Sequence, residues 1–207
     1  MVVAHLQPLV TVPRRLPAFT LIEALVAISL TALAGSALLM GSVSSLQTTD
    51  NARQQAIALG MAQQLMDEVV GNRYVDDSGN AYAWPLQPGG NEVSGVSRAL
   101  FDDIGDFNGY RCMPPTDPWG IPLGTDDGSG GLRDPNFQAA PGPFTHWRQE
   151  IDVAYVSESN LTTPLSGSQT SDYRLVSVRI MYVDPTSGQA RQLAQVQQVV
   201  AYVPPLQ

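Results

Sequence analysis

Between Glu23 and Asp50 the chain carries no charged residue. The stretch Ala24–Leu46, ALVAISLTALAGSALLMGSVSSL, is uncharged and mostly apolar over 23 residues. As a helix rising about 1.5 Å per residue, it is long enough to cross a hydrocarbon layer about 30 Å thick. Arg14 and Arg15 are the only formal charges before Glu23, and basic residues on that side predict a cytoplasmic N-terminus. Ser29, Thr31, Gly35, Ser36, Gly41 and Ser42 dilute the run, and small residues of this kind favour close helix–helix approach in lipid. Glu23 itself lies where hydrocarbon is expected, and a carboxylate there is costly enough to demand a partner and a purpose. A secretory signal has a shorter apolar core and a small-x-small cleavage site behind it, to which ALAGSA is a loose match. The Arg14-Arg15 pair suggests a twin-arginine signal, with little around it in support. A plain membrane anchor accounts for the length but leaves the carboxylate unexplained.

PAFTLIEALVAISL, residues 17–30, resembles the type IV prepilin signal of type IV pilins and type II secretion pseudopilins. In that family a short basic leader ends in a small residue, usually Gly, followed by Phe, apolar or Thr residues, and Glu at the fifth mature position. Ala18 stands at the small-residue position and Phe19 at the new N-terminus, with Thr20, Leu21, Ile22 and Glu23 in register. The resemblance implies cleavage between Ala18 and Phe19 by a prepilin peptidase and N-methylation of Phe19. It also implies that Glu23 pairs with the N-terminal amine of a neighbouring subunit during assembly. It is specific over residues 14 to about 46 and loose beyond. The late VSVRIMYVDP-x-SG pattern is closer to a minor than to a major subunit.

The downstream sequence agrees with that architecture. Ile57, Met61, Leu65 and Val69 recur at four-residue spacing, with Ala58, Ala62, Met66 and Val70 beside them. They form one apolar stripe, while Arg53, Gln63, Gln64, Asp67 and Glu68 fill the other faces. The Gly71-Asn72 pair is a helix stop, and Gly35, Gly41 and Gly60 are soft points along the way. Residues 73–145 are dense in Pro and Gly, predicting a long irregular connection with short strands or turns. Trp147, Ile151, Val153 and Tyr155 alternate with Arg148, Glu150 and Asp152. Val176, Val178, Ile180 and Tyr182 mark a second strand. Asp184–Gly188 then turns into RQLAQVQQVVAYV, giving an antiparallel sheet with one apolar face. The predicted fold is α+β and pilin-like, a long N-terminal helix with a membrane-spanning first half, its second half covering a C-terminal antiparallel sheet. The expected segments are a cleaved leader (1–18), the transmembrane or assembly half of the helix (19–46), its amphipathic half (47–72), the loop-rich region (73–145) and the sheet (146–207).

The functional expectation is a minor pilin or pseudopilin, a non-enzymatic structural subunit that enters or primes a pilus or a type II secretion pseudopilus. Its expected partners are the prepilin peptidase, other pilin or pseudopilin subunits, the inner-membrane assembly platform and the membrane. It would sit single-pass in the inner membrane, head on the periplasmic side. The alternative is a membrane-tethered binding or adhesion module on the same scaffold, outside any filament. The net charge of −8 disfavours direct nucleic-acid contact. One cysteine, Cys112, and two histidines, His5 and His146, leave little for an enzyme, and no G-x-S-x-G or H-E-x-x-H motif is present. Cys112 reads as a small buried hydrophobe, and His146 as structural. Two acidic groups are candidates for calcium: Asp102, Asp103 and Asp106, and Asp126 with Asp127. DPWGIPLGTDDGSGG resembles the stretch around a calcium loop of major pseudopilins, but here it is central, with about 75 residues after it. The plainer reading of these carboxylates is turn chemistry.

Overall fold

The computed structural model describes residues 20–76, 78–138, 142 and 144–204. Packing divides the chain into two compact units, Met1–Asp50 and Asn51–Gln207. One helix, α1 (Leu21–Val70), crosses the division. Thr20 caps its start, its Oγ1 accepting the Glu23 amide at 3.3 Å. Thr20-Leu-Ile-Glu23 is thus half of a capping box, with Glu23 in the first turn, where a negative charge suits the helix dipole.

In the first unit the apolar side chains of α1, including Leu21, Ile22, Leu25, Ile28, Leu33, Leu38 and Val43, are exposed. This is the one helix among the described residues long and apolar enough to cross a membrane. Its hydroxyls fit that setting. Ser29, Thr31, Ser36 and Ser42 each donate to the carbonyl four residues back, at 2.7–3.0 Å. A hydroxyl satisfied within its own helix avoids most of the cost of leaving water.

In the second unit α1 buries Ala58, Ala62, Leu65, Met66 and Val69. The stripe is centred one residue further on than its Ile57-Met61 edge, since those two are only partly buried. Ala58 and Ala62, at its start, are fully buried. The helix stops where expected: Gly71 N–H bonds Asp67 O at 2.9 Å and the Asn72 side-chain amide donates to Glu68 O.

The sheet has five strands: β1 (Arg111–Cys112), β2 (Trp147–Ser157), β3 (Asn160–Pro164), β4 (Tyr173–Val183) and β5 (Ala190–Ala201). Its order is β1-β2-β4-β5, all antiparallel, with β3 also on β2. The three long strands are the predicted ones. β3 was not expected, because NLTTP has no apolar alternation and all five of its residues are exposed. It forms because the chain reverses after Ser157 and reuses the free edge of β2.

Across β2 and β4, Ile151 faces Val178 and Val153 faces Val176, and all four join the α1 stripe in one core with Ile104, Phe107, Trp147, Tyr155 and Ile180. A bulge in β5 opposite Ile180 lets Leu193 turn inward, where it is 7% exposed. Cys112 is buried, its thiol donating to Pro114 O at 3.1 Å. His146 accepts the Val183 amide on its carbonyl, at the turn into β2.

Candidate functional site

Two places carry the residues singled out in the sequence. The first is the start of α1. Ala18 and Phe19, the expected cleavage pair, lie outside the described residues. Glu23 is exposed, in the first turn of α1 and followed by an uncharged run to Thr49.

The second is an acidic pocket in the loop-rich region. A 3-10 turn, Ile104–Phe107, pins its centre, burying Ile104 and Phe107 in the core. Asp103 caps this turn by accepting the Gly105 amide, and Asp106 reaches back to accept the amides of Asp102 and Asp103, each at 3.0 Å. An added Cβ at Gly105 would come within 2.8 Å of the Asp103 carboxylate, so the cap needs glycine there. A cavity of about 150 Å³ lies beside the turn, lined among others by Asp76, Leu86, Glu92, Asp103, Asp106 and Arg174.

The sequence-predicted acids separate here. Asp102 and Asp106 converge with Glu92, one carboxylate oxygen of each lying within 4.8 Å of the others. Glu92 was missed in the sequence because it sits ten residues upstream in a region without periodicity. Burial raises its carboxyl above the usual range, and the Asp106 and Asp102 charges push the same way. Asp102 also pairs with Arg73. Asp103 does not join this trio, since its oxygens face the turn and Arg174. Asp126 and Asp127 belong to no trio of potential ligands among the described residues. Asp126 accepts the Gly124 amide, and Asp127 those of Ser129 and Gly131, at 2.8–2.9 Å. That is the turn chemistry their spacing also allowed.

Arg174 closes the base of the pocket. It occupies a core-facing position of β4, opposite Tyr155, and is 1% exposed. It donates to Tyr74 O at 2.7 Å and to Ala81 O and Tyr155 Oη at 3.1 Å. It stacks 4.1 Å from the Tyr74 ring centroid, and lies 3.9 Å from Asp103. A second buried arginine, Arg98, holds Glu68 of α1 through two bonds of 2.6 and 2.8 Å. Neither was visible as a site in the sequence, although the alternation of β4 extends back onto Arg174.

Burial, with the Asp106 charge adding to it, pushes the Asp103 carboxyl up to about 6, against the pull of the Gly105 amide and Arg174. A raised acid stabilises the fold at low pH, and that contribution is lost as pH rises from about 4 through about 6. Asp103→Asn keeps an oxygen for the cap and removes the charge. The variant is expected to be more stable than wild type by about 1–3 kcal/mol at pH 7–8, with the gap closing toward pH 4. Thermal melts across that range check it; a pH-independent gap would overturn it.

No protein-family model matches the chain, and neither a curated protein nor a solved structure matches it.

Proposed function

We propose that the chain is a minor pilin or pseudopilin, a structural subunit anchored by the first half of α1 and delivered to a filament or pseudopilus. The observation that carries this reading is the start of α1. A Thr-capped helix places Glu23 in its first turn, follows it with an uncharged run of exposed apolar side chains, and continues without a break into the amphipathic half that covers an antiparallel sheet. On this reading the exposed apolar run meets lipid before assembly and other helices after it. Glu23 then meets the amine created at Phe19 of a neighbouring subunit. Breaking such a buried pair costs about 3–5 kcal/mol, while the intact pair adds little net stability, so its role is to favour the register that brings the two groups together.

Glu23→Ala is expected to leave cleavage and head folding unchanged and to reduce incorporation into filaments by an order of magnitude or more. N-terminal sequencing of the membrane form should begin at Phe19. Normal incorporation of the Glu23 variant, or a different mature start, would remove the reading.

A further inference from the structure

The two edges of the sheet are treated differently. The β2 edge is covered by β1 at one end and by β3, ending in Pro164, at the other. Between them, Gly109 N–H and Leu165 N–H bond Ile151 O and Tyr155 O. β5 forms the opposite edge over twelve residues. Among the described residues, β4 is the only element that hydrogen-bonds to its backbone.

The direction of the open groups follows from the pairing. Tyr202 N–H bonds Asp172 O, one step beyond the Tyr173–Ala201 pair. Backbone groups alternate sides along an antiparallel strand, so those of Gln195, Gln197, Val199 and Ala201 point away from β4. Such a row takes an extended strand. Edges of monomeric sheets are usually guarded by charge, proline or a bulge. β5 has a bulge near Leu193 but neither charge nor proline from Ala194 to Ala201.

We infer that β5 is a pairing edge for a second copy of this chain, joined antiparallel so that the two sheets become one. From Asn51 onward the chain holds nine arginines against seventeen carboxylates, and like-charged faces of two copies repel. β5 avoids this, since Arg191 is its one charge. Paired about Val196, Gln195 meets Gln197 of the second copy, and each amide offers both a donor and an acceptor. With the bulge at Leu193 counted, Arg191 falls at the uncharged end of the second copy's β5, near Val200, so no like charges face each other. The pairing does not depend on entry into a filament.

The test uses the full chain in dilute detergent micelles, with mass measured by light scattering. Wild type is expected to be a dimer with slowly exchanging Gln195 and Gln197 amides. Gln195→Pro removes one outward N–H, tolerated at a sheet edge, and is expected to give a monomer with unchanged circular dichroism. The Gln195→Lys/Gln197→Lys double variant keeps every N–H but sets lysines across the axis, and carries the test if the proline variant misfolds; it too should be monomeric. A monomeric wild type, or a dimer that survives these changes, overturns the inference.

Discussion

Arg174→Leu is expected to lower the stability of the second unit by about 3–5 kcal/mol, the cost of removing a buried charge that holds three hydrogen bonds. The side chain does three things that leucine cannot. It satisfies the carbonyls of Tyr74 and Ala81, covers the faces of Tyr74 and Tyr155, and offsets the Asp103 carboxylate, which otherwise lies beside Asp106 with less compensation. Arg174→Lys restores the charge but not the planar fork, and recovers a minor part of the loss. Because Asp103 and Arg174 share one environment, Arg174→Leu costs less when combined with Asp103→Asn than the two separate effects imply. Denaturant unfolding of the four proteins at pH 7 measures this. Simple additivity would show that the two act independently.

Arg98→Met is expected to cost about 2–3 kcal/mol, less than Arg174 because the Glu68 side chain keeps 24% of its surface in solvent and water screens the pair. The arginine gathers what is otherwise unconnected. It joins Glu68 on α1 to the carbonyls of Thr116 and Asp117 and to the Tyr110 hydroxyl, at 3.0–3.2 Å. Its loss is expected to loosen residues 96–117, β1 included, before the long strands open. Limited proteolysis should therefore cut within that stretch at denaturant concentrations where the β2–β4 amides still resist exchange. Glu68→Gln keeps an acceptor and is milder. Simultaneous loss of loop and sheet protection would show that Arg98 serves the global fold instead.

Both predictions concern the region where the sequence was least informative. The long strands could be read because alternation over eleven or twelve residues leaves one consistent buried face, and α1 because its stripe has helical spacing. The loop-rich stretch has no period. Its order comes from single long-range polar contacts: Arg174 to Tyr74, Arg98 to Glu68, Asn108 to Leu86 and Val153. Contacts of that kind leave no local signature. The acidic pocket shows the same limit. Asp102, Asp103 and Asp106 were visible as a group, but the cap geometry sends Asp103 toward Arg174 and brings Glu92 to the other two.

From the residues by themselves came the apolar span, the carboxylate at its head, the covering stripe and the three long strands, because each is a repeating pattern along one element. The tertiary structure decided which carboxylates meet, which edge of the sheet is covered and which is left open. It also put two arginines inside. Those outcomes depend on residues ten to a hundred positions apart arriving at one place, and no pattern within a single element encodes that arrival.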